Sequence, residues 1–420
     1  HNQKIVPYLF GNDIAFAPGT GGAIQDCTSL LTYNAVEGFR ALRLVEDIEG
    51  NPSEFYEDDI NLAPADANVL LTSNQTLYAS KTINSIMATS VTYTLSLAQD
   101  TVLTLASGVL RAPVSGDAST AVNFGDKEGF VYVYAPMAPL TGTEGVTFAA
   151  LPYPSGGSLL RGVATKMDTF SGQVTFAHGM WDIGSYVYPP NLGVVNLSIP
   201  DESFVFVHPS AILRVGDNRA TADYCTREII GGLGGMGVVR LALTTATDTL
   251  AWLNSALTIG ADTSPYAPAD YWETWTNTAG RVLLNGGLLK PGMTEDKRGT
   301  LRFTTAISGN APFPVELRNG TFAVAIDAEL NNDSIDVQGE LVIGNGDNLF
   351  LEVTLEAGAV IEAGMRWTIA TAGTLTANGD TLFRKVLCND PRWTFAVEEE
   401  GDTLVMVACR KTTGTTIMIR

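Results

Sequence analysis

From Leu283 to Phe383 apolar and polar residues alternate in short runs, and each run stops at a Gly or Asn-Gly break. Phe322, Val324 and Ile326 take every second position of one run, and Leu349, Leu351, Val353 and Leu355 do the same in another. A period of two marks a half-buried strand, because successive side chains of an extended backbone point to opposite faces. Asn319-Gly320, Asn345-Gly346 and Asn378-Gly379 accept positive φ and so punctuate the strands. Similar runs begin near Asp66, in NVLLTSNQTLYASKTINSIMATSVTYTLSLAQDTVLTLASGVLRAP, and continue through GFVYVYAP, GVTFAAL, GQVTFAHGMWDIG, GVVNLSI and SFVFVHPSAILRVG. The links between them are too short to turn through a helix. The pattern predicts an all-β chain, with sandwich, barrel and solenoid as the candidate architectures.

Three regions follow. Residues 1–65 read as an irregular N-terminal cap or linker, with an acidic run Glu54 to Asp59 and one amphipathic segment, Ala35 to Ile48, predicted as helix. Residues 66–385 carry the strands, interrupted near 265–280 by PYAPADYWETWTNTAG. Tyr266, Tyr271, Trp272 and Trp275 make this excursion a candidate recognition loop, an aromatic plug over a core seam being the structural alternative. Residues 386–420 read as a C-terminal capping hairpin, with VLC and VMVAC as arms around Glu400-Gly401-Asp402. Those arms would pair Cys388 with Cys409; the other reading is buried free thiols.

Composition narrows the function classes. The 420 residues hold 25 Lys plus Arg against 45 Asp plus Glu, a net charge of −20 that argues against nucleic acid or an anionic membrane as partner. No run approaches the roughly twenty apolar residues of a membrane-spanning helix, so no membrane insertion by this segment is expected. The chain opens on His1 without a basic-then-apolar leader, as a processed, proteolytic or truncated end would. Acidic, Lys-poor, Thr- and Gly-rich composition fits an exported surface protein and is compatible with Ca²⁺ as a ligand. Cys27, Cys225, Cys388 and Cys409 include no CxxC, which sets zinc aside.

Several passages resemble one family. TINSIMATSVTYTLSLAQDTVLTLASGVL, from Thr82 to Leu110, is similar to autotransporter-associated β-strand repeats, and FSGQVTFAHGMWDIG, from Phe170 to Gly184, resembles a repeat core. GRVLLNGGLLKPG followed by GTLRF, and then DSIDVQGELVIG through TLTANGDTLF, resemble the closing rungs of autotransporter passenger domains. The resemblance covers Asn68 to Phe383 with gaps. It implies a right-handed parallel β-helix (β-solenoid), exported and displayed at a bacterial cell surface. The membrane barrel of a true autotransporter does not follow within the chain, so the resemblance implies a cleaved passenger or a secreted relative without a barrel. Such a helix stacks rungs of roughly 20 to 25 residues at about 4.8 Å, with apolar ladders inside and Gly or Asn at corners. The implied function is a non-enzymatic structural or adhesive rod, self-associating or binding a host or surface glycan or protein. The alternative is a carbohydrate-active β-helix enzyme or a tail-spike-like carbohydrate-binding fibre.

Candidate chemistry is sparse. Gly232-Leu-Gly234-Gly-Met-Gly237 fits GxGxxG, yet VVRLALTTATDTL after it is strand-like, so a glycine-rich turn is the expectation, not a nucleotide site. His1 could join His178 or His208, with Tyr8 axial, in a copper site of the kind that uses an N-terminal His. Asp217 and Asp223 flank Arg219 in the best carboxylate cluster, where turn capping is the simpler explanation. The run Glu54 to Asp59 lacks the D-x-D-x-D-G spacing of a calcium loop. No GxSxG or reactive-Cys arrangement supports nucleophilic catalysis, and no catalytic residue or cofactor is assigned. Asn-X-Ser/Thr sequons stand at Asn74, Asn196, Asn319 and Asn332.

Overall fold

The computed structural model describes residues 5–11, 29–34, 38–46, 49–90, 92–133, 138–149, 161–163, 167, 170–183, 199–215, 227–241, 256–260, 281–292, 298–304, 313–378 and 382–411. They are almost wholly β. The only helical element among them is the 3-10 turn Ile60–Leu62. Two compact units divide the chain: His1–Ser185 with Leu197–Ser203 and Ser210–Leu213, and Tyr186–Asn196 with Phe204–Pro209 and Arg214–Arg420.

In the first unit Asn68–Leu71, Lys81–Ala88, Val102–Arg111, Gly129–Val131, Val146–Ala149 and Val174–Ile183 pair in succession, each parallel to the one before. Register stacks Val69, Ile86, Leu110, Val131, Phe148 and Phe176 in one row, and each is 0% exposed. A second parallel ladder stacks Leu103, Val122 and Leu140, and a third joins Gln75–Leu77, Leu95–Leu97 and Val114–Ser115. Alternation explains the arrangement: the residues between the buried ones, such as Thr82, Thr104, Asn123 and Thr141, fall on the opposite, more polar face in the same register.

The described residues before Asp66 include strands that their sequence does not suggest. Ile5–Gly11, Ser29–Asn34 and Gly38–Ala41 form an antiparallel three-stranded sheet. Of the helix expected from Ala35 to Ile48, the described residues 38–46 are not helical; Gly38–Ala41 is strand, and Phe39 packs across to Tyr33 with ring centroids 4.9 Å apart. Leu30, Leu42, Leu44 and Phe55 cover Leu70, Met87, Val109, Phe130 and Tyr132. That face of the first ladder is the one opposite its inner row, so this region covers a flank. Arg40 anchors it by two hydrogen bonds to Glu54, at 2.6 and 2.7 Å.

The second unit repeats the scheme. One ladder stacks Leu257, Val282, Val315, Leu341 and Leu375; another stacks Leu233, Leu289, Phe322, Leu351 and Val386; a third stacks Phe303, Val337 and Ala372. Strands that turn a corner, such as Val315–Ile326 and Ser334–Leu355, belong to more than one ladder, so the ladders join and close around the buried rows. At one corner Gly320 has φ +106° and a Cβ there would lie 2.5 Å from the Gly287 carbonyl, so the backbones approach too closely for a side chain.

Ladder neighbours are 16 to 23 residues apart where Asn84 bonds Asn68 and Ser107 bonds Asn84, but 34 to 36 apart where Asn319 bonds Asn285 and Thr376 bonds Glu340. The expected rung of roughly 20 to 25 residues therefore fits much of the first unit and the Leu257–Val282 pass of the second, while other passes of the second are longer. Links such as residues 356–365 lengthen the second.

At the C-terminus Trp393–Glu400 and Thr403–Arg410 form an antiparallel hairpin through Gly401, and Thr403–Arg410 pairs antiparallel with Arg366–Ala377. Cys388 is not in a hairpin arm. It ends the strand Lys385–Cys388, parallel to Phe350–Val353, while Cys409 lies opposite Thr394, and both thiols are free. The arms took the more strongly alternating sequence, WTFAVEEE, in place of VLC.

Candidate functional site

A buried charge cluster sits where three passes of the second unit's chain meet. The turn Asp327 to Asn332 is closed by Asp327, whose carboxylate accepts from the Asn331 amide N–H at 2.8 Å and from Asn331 Nδ2 at 3.0 Å. Leu330, at φ +67°, turns its carbonyl to Trp367 Nε1, 3.0 Å away. This turn delivers Asp333, 0% exposed, to the base of the strand Ser334–Leu355.

Asp333 Oδ1 accepts from the Gly299 amide at 3.2 Å, and Oδ2 accepts from Arg298 Nη1 at 2.9 Å and from the Ala325 amide at 3.1 Å. Arg298, its side chain 4% exposed, also bonds Glu356. Gly292 makes room, since a Cβ there would lie 2.1 Å from Asp333 Oδ1. Burial raises the Asp333 carboxyl above its ordinary value, and Arg298 and the two amides oppose that rise. A carboxylate with no exposed surface and three protein donors cannot reach a substrate. Its chemistry is to bind together residues 298–299, 325 and 333, with Glu356 holding the far side of the guanidinium.

The residues singled out in the sequence fall elsewhere. His1, Tyr266, Tyr271, Trp272, Trp275, Asp217, Arg219, Asp223, Cys27, Cys225 and Asn196 lie outside the described residues, as does the side chain of Tyr8. His178 is exposed on Val174–Ile183, opposite Ala149 at a register shift, and its carbonyl accepts from Trp181 Nε1 at 2.8 Å. His208 is half-buried after Phe204–Val207, in the other compact unit. Among the described residues no group of three or more His, Cys, Asp or Glu is placed to hold a metal ion.

The GxGxxG run is strand over Gly232–Gly235 and bends at Met236 and Gly237. Gly232–Gly235 pairs with Phe204–Val207 and with Leu288–Lys290, and another strand, Val238–Leu241, follows. A Cβ on Gly232 or Gly234 would come within 2.6 or 2.7 Å of the Phe204 ring, which accounts for both glycines. In the acidic run, Glu54 is taken up by Arg40 and by the Arg43 amide at 2.8 Å, and Asp59 caps Asn61 at 3.0 Å. The Asn319 and Asn332 side chains donate to Asn285 and to the carbonyls of Asp333 and Thr368.

Sequence reading missed Arg298, Asp333 and Glu356. Asn331-Asn332-Asp333 signals a turn, but nothing local says that the third residue turns inward. No family model and no curated protein matches the chain.

Proposed function

We propose that the chain is a right-handed parallel β-solenoid serving as a non-enzymatic, extracellular scaffold of a bacterial cell surface, structural or adhesive. The observation that carries this reading is the recurrence in both units of parallel, in-register rows of apolar residues, buried along most of their length. Such rows stiffen a chain along its repeat, because each pass contacts only its neighbours. Thr, Ser and Asn on the outer faces bond from pass to pass, as Thr300 does to Ser334 at 2.8 Å and Thr371 to Asp336 at 2.8 Å. The buried Arg298–Asp333–Glu356 group adds cohesion and no chemistry.

In this reading the excursion bearing Tyr266, Tyr271, Trp272 and Trp275 meets a host or surface glycan or protein. A carbohydrate-active enzyme would instead need aromatics and carboxylates aligned along one face. The test is incubation with a panel of soluble and insoluble polysaccharides, scoring both retention and release of new ends. Retention without cleavage, lost on Trp272→Ala with Trp275→Ala, is the expected result. Glycan turnover abolished by a single carboxylate substitution overturns the scaffold reading.

A further inference from the structure

The outermost strands of parallel ladders present unpaired N–H and C=O groups, which template addition of another chain. In the first unit the outer edge of Gln75–Leu77 does not stand open. Asn61, in the 3-10 turn Ile60–Leu62, reproduces with its side-chain amide what a neighbouring strand would offer. Its Nδ2 donates to the Thr76 carbonyl at 2.8 Å, and its Oδ1 accepts from the Tyr78 amide at 3.0 Å. The Ile60 amide donates to Gln75 Oε1 at 2.8 Å, and Lys81 Nζ fastens the turn through the Asn61 carbonyl at 2.9 Å. Ile60 is fully buried beneath it, and Tyr56 bridges Val69 to close the adjoining ladder.

Charge accompanies the seal. Glu57, Asp58 and Asp59, all exposed, lead into the turn. In the second unit the strand Trp393–Glu400, paired among the described residues to Thr403–Arg410 alone, ends in the exposed Glu398, Glu399 and Glu400. Arg366 bonds two of these, which leaves the group negative. The shorter strand ends Thr374–Ala377 and Lys385–Cys388 pair to Glu340–Ile343 and Phe350–Val353, beside a hairpin that extends the third ladder by two strands. Both terminal elements thus carry the same sign, and neither complements the other.

We propose that the Asn61 turn and the two acidic triplets are a built-in seal at the outer edge of each unit's ladders, so that neither edge templates the addition of another copy of this chain. This narrows the self-association expected from the sequence. It rests on the solenoid reading, since only stacked ladders have ends to seal. Leu62 and Tyr78, each 74% exposed, flank Asn61, so the end is apolar enough to associate once its backbone groups are released.

The test is sedimentation velocity of the full chain over a wide concentration range. Wild type is expected to sediment independently of concentration. Asn61→Ala combined with Glu398→Thr, Glu399→Thr and Glu400→Thr is expected to shift to faster, concentration-dependent species, and Asn331→Ala, which loses an asparagine cap away from the edge, is not. A folded combined variant that stays monomeric overturns the seal and leaves the scaffold reading intact; glycan turnover does the reverse. If the combined variant misfolds, hydrogen exchange of wild type decides. A Tyr78 amide slowed relative to an unstructured peptide supports the seal, and one exchanging at the open-chain rate overturns it.

Discussion

Replacing Asp333 by Ala removes the acceptor of three bonds at once: Arg298 Nη1 at 2.9 Å, the Gly299 amide at 3.2 Å and the Ala325 amide at 3.1 Å. Breaking a buried pair by deleting one partner costs about 3–5 kcal/mol, because the surviving charge stays buried. Glu356 still holds part of Arg298, which lowers the cost, while the buried Ala325 amide loses its acceptor at about 1–3 kcal/mol and the half-buried Gly299 amide at less, which raises it. The expected loss is about 3–5 kcal/mol, a large share of the ~5–15 kcal/mol of a typical domain. Asp333→Asn keeps one oxygen but turns an NH2 toward a donor, and loses about 2–3 kcal/mol. Urea unfolding followed by tryptophan fluorescence suits the measurement, because Trp367 is bonded to the adjoining turn. Arg318→Ala is the control: Arg318 pairs with Glu316 at the surface, 43% exposed, and its loss costs under about 1 kcal/mol. An Asp333→Ala midpoint indistinguishable from that of Arg318→Ala refutes the buried-clasp reasoning.

Other substitutions probe other parts of the fold. Gly320→Ala sets a methyl 2.5 Å from the Gly287 carbonyl at φ +106°, and the overlap destabilises by about 1–3 kcal/mol beyond the backbone strain; Gly364→Ala, with positive φ but nothing within 4 Å, isolates that strain. Phe176→Ala removes a ring 5.4 Å from Phe148 in the fully buried row and costs about 3–5 kcal/mol by chemical denaturation. Asp59, Asp117 and Asp390 are held below the ordinary carboxylate range by hydrogen bonds from Asn61, Ser119 and Arg392. The stability they add is present above the unfolded value of about 3.9 and is lost as pH falls through their lower folded values. The unfolding midpoint should therefore fall in acid, less steeply for Asp117→Asn. Burial pushes the Cys388 thiol up, so its alkylation, read by peptide mass, should need higher pH than that of a cysteine in an unstructured peptide.

The alternation of Phe322, Val324 and Ile326 was enough to read strand and inward face, because period two is a property of the extended backbone itself. Parallel pairing was not legible from alternation. It entered only through the family resemblance, since an antiparallel sheet gives the same period. The segment Ala35 to Ile48 misled because apolar residues at helical spacing also suit a short strand, and Leu42 and Leu44 are buried by an apolar flank far along the chain. Gly232 and Gly234 answer to the Phe204 ring and Gly235 to the Val207 carbonyl, contacts set by register rather than by neighbours in sequence. Asp333 and Asn61 escaped for the same reason. Each looks like an ordinary turn residue, and only the third dimension shows which backbone groups it satisfies.

Cysteine pairs placed across the ladders test the account most directly. Thr300→Cys with Ser334→Cys occupies register partners whose hydroxyls are 2.8 Å apart, and Thr104→Cys with Asn123→Cys does so in the first unit. Neighbouring parallel strands set Cα atoms about 4.8 Å apart, within disulfide range. Mass mapping after mild oxidation should find both engineered bridges, and none for Thr300→Cys with Asp336→Cys, two residues out of register. A bridge in that control, with none between the register partners, contradicts the parallel, in-register stacking on which the scaffold reading stands.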